Sequence, residues 1–294
     1  MDSELPSTKE DEDLNARIER ALGTRVRHTA PLAGGMIGRV VRVTLTTGET
    51  IVAKEAGDSG ANFDLEAAMI LHLRSTGVVP VPDVLHASSS LLLLEDMPGD
   101  HLTPEAEPDL GDTIARLHGV TCRKFGFDTD TLNGSFVLPN GWHDRWVPFF
   151  RDSRLIHAAN AALAAGRLKP RDHHRIANLA GRLDELLTEP DMPALLHGDL
   201  WSANVLAVGP AVTALIDPSV VYGHPEAEIA YAVGMGGMGD AFVRAYTRHW
   251  PLDNGFWSIR RHIYLTYPAI MHIHYFGERY DPWLNSCLLA IGIE

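Results

Sequence analysis

The sequence predicts an α+β chain of two lobes, a small β-rich one followed by a larger helical one. Three observations predict it. Apolar and β-branched runs of strand length fill residues from about 29 to 54 and again near 91 to 95. From about 110 onward, apolar residues recur at helical spacing. Between the two regimes MPGD, residues 97–100, interrupts the pattern. The expected divisions are a polar segment with a short helix over 1–28, the β-rich lobe over 29–97 and the helical lobe over 98–294.

Taken in order, residues 1 to about 10 are polar, and Leu14, Ile18, Ala21 and Leu22 then mark a short amphipathic helix. VVRVTL, TTGE and TIVAK read as a hairpin with a Gly-containing turn. NFDLEAAMILHLRST, residues 62–76, is a helix with Asn62 or Asp64 as its cap. VVPVPDVL is Pro-punctuated and extended, and SSLLLLED holds a short buried strand. DLGDTIARLHGV places Leu110, Ile114, Leu117 and His118 on one helical face. Helices are also expected over 173–187, within 224–250 and over 256–278. A cleft between the two lobes is the place to look for a ligand.

Composition narrows the function. The chain has 294 residues, 45% hydrophobic and 21% charged, which suits a globular protein with a full core. A net charge of -13 speaks against a nucleic-acid partner, which needs clustered Lys and Arg. Two distant cysteines, Cys122 and Cys287, make neither a disulfide framework nor a zinc site. The acidic N-terminus is unlike a signal or transit peptide, and no apolar run reaches the roughly 20 residues of a membrane span. The expected location is the cytoplasm, with no membrane partner; the oligomeric state stays open.

The most informative stretch is LLHGDLWSANVLAV, residues 195–208. Asn204 follows Asp199 by five positions, and Asp217 ends the later apolar run AVTALID. Kinase catalytic loops use this spacing: an Asp takes the acceptor hydroxyl proton, an Asn five residues on holds magnesium, and a later Asp holds it too. The chemistry needs these types because Mg2+ prefers hard oxygen ligands and keeps several waters. Asp199 is therefore the expected catalytic base, with Asn204 and Asp217 as metal ligands. His197 is expected to brace the loop and not to act as a base.

Upstream residues agree. Lys54 ends the strand TIVAK, as expected of a lysine on ATP phosphates, and Glu66 on the next helix is its expected ion-pair partner. LAGGMIGRV supplies Gly34, Gly35 and Gly38 as a phosphate-covering loop, although Ala33 stands where G-x-G-x-x-G has its first glycine. Glu95, Asp96 and Met97 form the connector, whose backbone at Glu95 and Met97 is expected to meet adenine. ATP and Mg2+ are the expected cofactors, the 29–97 lobe binds the nucleotide, and the fold class sharpens to a protein-kinase-like one.

On these motifs the sequence resembles the fructosamine kinase (ketosamine 3-kinase) family over about residues 30–290. HGDLWSAN is similar to the family's HGDLWSGN, with Ala203 for Gly. IDPSVVYGHPEAEIAYA resembles its D-P-x-x-x-Y-G-H-x-E-x-(D/E)-x-A segment through Asp217, Pro218, Tyr222, Gly223, His224, Glu226 and Glu228. Phe125, Gly126, Trp142, Trp146, Phe149 and Phe150 match an aromatic stretch. The resemblance implies ATP-dependent phosphorylation of the sugar 3-hydroxyl of a ketosamine, on a small amine or a glycated protein, in deglycation. It also implies that Trp201, His224 and Glu226 lie close to substrate or the catalytic loop. The C-terminal helix departs from the family in YPAIMHIHYFGERY, where Pro268 is expected to kink it and Met271 replaces a polar residue. His272 and His274 sit two apart, which suits one buried and one cleft-facing ring and not a metal pair. Aminoglycoside, choline or homoserine phosphotransferases share the machinery and remain the alternative, as does a silent nucleotide-binding scaffold.

Overall fold

The computed structural model describes residues 9–32, 38–56 and 62–294. Its first part is one five-stranded antiparallel sheet. The strands are Val26–Pro31 (β1), Arg39–Leu45 (β2), Thr50–Glu55 (β3), Val84–Ser88 (β4) and Leu91–Glu95 (β5), in the order β1-β2-β3-β5-β4. The β2–β3 hairpin pairs Arg39 with Glu55 and Val43 with Ile51, so alternate residues Val41, Val43, Ile51 and Ala53 face one side. Helix Lys9–Leu22 (α1) closes that side with Leu14 and Ile18, both fully buried. The segment read as a separate N-terminal extension thus shares a core with the sheet.

Helix Phe63–Thr76 (α2) covers the opposite face. Asn62 caps it, its side chain accepting from the Asp64 amide at 3.2 Å, and Gly77 ends it in the left-handed conformation. After β5 the chain crosses to a two-residue strand, Asp100–His101 (β6), which pairs with Val205–Val208 (β10); Ala211–Leu215 (β11) completes this small sheet. Short pairs Thr131–Asn133 (β7) with Phe136–Leu138 (β8), and Ala194–Leu196 (β9) with Val221–Gly223 (β12), make up the remaining strands among the described residues.

The rest is helical: Glu107–His118 (α3), Trp146–Phe150 (α4), His157–Ala164 (α5), Pro170–Gly181 (α6), Leu183–Leu186 (α7), Pro225–Gly234 (α8), Asp240–Thr247 (α9), Arg261–Phe276 (α10) and Asp281–Ala290 (α11). Leu110, Ile114, Leu117 and His118 of α3 are all fully buried, as the spacing requires. Two expected long helices are broken. The 173–187 helix divides at Arg182, whose φ and ψ of -107° and 0° leave the helical region just after Gly181, a weak helix former. The 224–250 helix divides at GMGGM, where the Gly236 carbonyl accepts from Ser202 at 2.7 Å. A Cβ at Gly236 would stand 2.6 Å from the Leu200 carbonyl, so glycine there lets the α8–α9 turn abut the catalytic loop. Helix α10 continues through Pro268.

Candidate active site

A cleft of about 1000 Å³ lies between the sheet and the helices. Asp199, Asn204 and Asp217 all line it, together with Lys54 and Glu66 from the opposite lobe. The catalytic loop connects β9 to a 3₁₀ turn, Ser202–Asn204, that leads directly into β10. Gly198 turns it with φ +85°, and a Cβ there would overlap the Ser219 carbonyl. That close approach is fixed by the Ser219 amide, which donates to the His197 carbonyl at 2.8 Å.

Asn204 Nδ2 donates to the Asp199 backbone carbonyl at 2.9 Å and to Asp199 Oδ2 at 3.0 Å. The five-residue spacing therefore folds the loop back on itself. Burial pushes the Asp199 carboxyl up to about 7, against the Asn204 hydrogen bond and with added repulsion from Asp217. Tyr231 on α8 lines the cleft with this carboxylate and works against the rise. Asp217 lies two residues past β11 with φ +53°, an uncommon region that Asp tolerates better than most side chains.

Lys54 Nζ donates to Glu66 Oε1 at 2.5 Å and also pairs with Asp217, tying β3, α2 and the segment after β11 together. Burial opposes its charge, but Asp217 and then Glu66 outweigh it, so Lys54 stays protonated. Gly38, at φ +87°, sits where a Cβ would overlap the Glu55 carbonyl; Gly34 and Gly35 lie outside the described residues. Glu95, Asp96 and Met97 line the cleft. The Glu95 amide is already committed to the Asp83 carbonyl at 2.9 Å and Asp96 pairs with Arg42 at 2.8 Å, so of the expected adenine contacts the Glu95 N–H drops out.

His197 is fully buried and neutral, its pKa lowered by burial, and Nε2 bonds the Ile216 carbonyl at 3.0 Å. It braces the loop. Trp201 is 42% exposed at the cleft wall. His224 and Glu226, expected close to substrate or the catalytic loop, lie outside the cleft lining at the start of α8. His224 caps α8, accepting from the Glu226 amide at 3.1 Å, and packs against Trp146 and Tyr264. Glu226 is held by Arg260 through two bonds of 2.7 and 2.6 Å. His272 faces the cleft, while His274 is half-buried against Phe136 and Tyr275.

Sequence reasoning missed Glu228 as a contributor to the loop. Its carboxylate accepts from the amides of Gly198 at 2.6 Å and His197 at 3.3 Å. Behind it stands His118, Nε2 at 3.0 Å, whose Nδ1 meets the Tyr246 hydroxyl at 2.8 Å. Burial works to raise the Glu228 pKa, and His118 with the loop amides overrides it, so the carboxylate stays ionised. The available signal was helical: Glu228 and Tyr231 stand three apart on α8, hence on one face.

A sequence model of the fructosamine kinase family matches residues 11–291. The chain is 28% identical over 262 residues to a protein of Staphylococcus aureus assigned as a ketoamine kinase, covering 87% of this chain and 90% of that one. It is 28% identical over 269 residues to the chloroplastic protein-ribulosamine 3-kinase of Arabidopsis thaliana, covering 87% and 80%. A crystal structure from Thermobifida fusca, assigned as a fructosamine-3-kinase, superposes with a TM-score of 0.83 at 28% identity over 95% of this chain and 98% of that one. The α+β architecture is thus that of the protein-kinase-like phosphotransferases, and the chain belongs to the fructosamine kinase family.

Proposed function

We propose that the protein is an ATP-dependent, Mg2+-requiring kinase that phosphorylates the sugar 3-hydroxyl of ketosamines. The observation that carries the reading is one cleft in which Asp199 is held by Asn204 while Lys54 bridges Glu66 and Asp217. The donor set fits the cofactors. Among the described residues no cluster of three or more His, Cys, Asp or Glu could cage a metal by itself. Asn204 and Asp217 offer two oxygen ligands, which suits Mg2+ shared with phosphates and water. Val40, Val52, Leu94, Leu206 and Ile216 provide apolar walls for a planar base. Bound Mg·ATP supplies the phosphoryl group and the positive charge that offsets its oxygens.

The chain's own residues then do the rest. Asn204 Nδ2 fixes the Asp199 carboxylate, which takes the acceptor hydroxyl proton and later returns it to water. Lys54, held protonated, places a positive charge where phosphate oxygens lie. Glu66 keeps its Nζ from leaving. A screen of ATP consumption with Mg2+ over ribulosamines, fructosamines, aminoglycosides and choline tests the reading. Turnover of ketosamines is expected, and turnover of aminoglycosides alone would overturn the substrate. Asp199→Asn is expected to lower kcat by about 10²-fold or more, and an unchanged rate would remove Asp199 as the base.

A further inference from the structure

Arg154 is buried, 7% exposed, and lines the cleft. It sits in Arg151–Ile156, a π-helical stretch between α4 and α5, and such bulges recur at functional sites. Its donors go to neutral oxygens: the Pro139 carbonyl at 2.7 Å, the Ser153 carbonyl at 3.0 Å and Asn140 Oδ1 at 2.5 Å. The Phe149 ring lies 4.7 Å from its guanidinium carbon. Among the described residues, no carboxylate forms an ion pair with it. Arg175 and Arg260, by contrast, are paired with Asp172 and with Glu226 and Asp253. A guanidinium does not shed its proton in a protein, so this buried charge has no carboxylate in direct contact; Asp130 reaches it only through Asn140.

Its place within the cleft says which anion completes it. Tyr264, Tyr267, Met271 and Tyr275 of α10 form the adjoining wall. Tyr267 lines the same cleft as Arg154 and Asp199. Arg154 enters the cleft from the helical lobe, between α4 and α5, whereas Lys54 enters it from the sheet, so Arg154 stands with the acceptor side and not with the phosphate side.

We propose that Arg154 is a specificity residue that binds a carboxylate of the acceptor, so that the preferred substrates are ketosamines of free amino acids. This rests on the ketosamine kinase reading above. Guanidinium and carboxylate match in shape and charge. An adduct on the α-amine of a free amino acid carries that carboxylate close to the sugar. An adduct on a lysine side chain within a protein does not.

The test is steady-state kinetics of the full chain on the ribulose adducts of glycine and of glycinamide, at a pH where both amines carry the same charge, so that the carboxylate is the charge that differs. The glycine adduct is expected to have the higher kcat/KM by about tenfold or more, through KM. Arg154→Gln is expected to bring the ratio toward one, and Arg154→Lys to keep part of it. Equal kcat/KM for the two adducts, or a preference for glycinamide, overturns the proposal while leaving the kinase reading intact. An Arg154→Gln variant that loses kcat equally on both adducts also overturns it, since the charge then serves the transferred phosphoryl group. Should Arg154→Gln fail to fold, the wild-type pair and Arg154→Lys still decide. Turnover of neither adduct, with other ketosamines still phosphorylated, also overturns the proposal.

Discussion

Burial does to Asp199 what its proposed role as base requires, since a carboxyl pushed up to about 7 is a far better proton acceptor than one at 3.8. Two consequences follow at this residue. With free enzyme, kcat/KM is expected to rise with pH up to about 7 and then level on that limb, because only the ionised form accepts a proton. A flat profile from pH 5 to 8 contradicts the assignment. The second concerns stability. The folded pKa lies above the unfolded one, so the folded state binds the extra proton between roughly pH 4 and 7, and this group's contribution falls as pH rises through that window. Asp199→Asn, which keeps an oxygen for Asn204, is therefore expected to melt a few degrees higher than wild type at pH 8 and to differ little at pH 5, by differential scanning calorimetry. No pH dependence in that difference would show that the carboxylate is not buried as described.

At the scale of elements, α8 controls the catalytic loop. Glu228 projects from it to take the Gly198 and His197 amides, and Tyr231, one turn on, reaches Asp199. A glutamine at 228 offers one acceptor oxygen and turns an N–H toward loop donors, leaving a buried amide without a partner. Glu228→Gln is expected to lower kcat about tenfold or more while changing the ATP KM less, because a misplaced base hurts the transition state more than nucleotide binding. An equal effect on both parameters, or on neither, argues against a positioning role. The same helix marks where the sequence was legible and where it was not. Asp199 and Asn204 were legible because their spacing is local: the loop closes on itself within five residues, and Asp217 follows at the end of the adjoining β10–β11 hairpin. Lys54 and Glu66 were legible because a strand followed by a helix places them. Glu228, whose partners lie 30 residues and more away, was not, and neither was the α8–α9 break, which depends on Gly236 meeting Leu200. For His224 and Glu226 a linear motif does not say which helix face looks into the cleft; Arg260 holds Glu226 and the α8 N-terminus takes His224.

Across the whole molecule, Lys54 carries an ionic tie between the two lobes, beside the His72–Tyr222 hydroxyl bond at 3.2 Å and the Leu215 amide's bond to the Pro80 carbonyl at 2.9 Å. Lys54 on β3 holds Glu66 of its own lobe and Asp217 of the other, so its charge separates two carboxylates that otherwise repel. Glu66 is already pushed upward by burial, with Lys54 opposing and Asp217 adding to the push. Lys54→Met leaves both acids facing each other without a cation. The Glu66 pKa then rises further in the folded state, so the folded form binds more protons than the unfolded one, and stability is lost as pH rises. Removing one partner of a buried ion pair costs about 3–5 kcal/mol, and the lower end applies because the Asp217 side chain is 38% exposed. The variant is thus expected to melt well below wild type at pH 8 and closer to it at pH 5. Adding Glu66→Gln removes one of the two opposed charges, so Lys54→Met/Glu66→Gln is expected to recover part of the loss at pH 8. A double variant no more stable than the single one, or a single variant as stable as wild type at pH 8, would show that the lobes are held together by the apolar contacts around the cleft and not by this lysine.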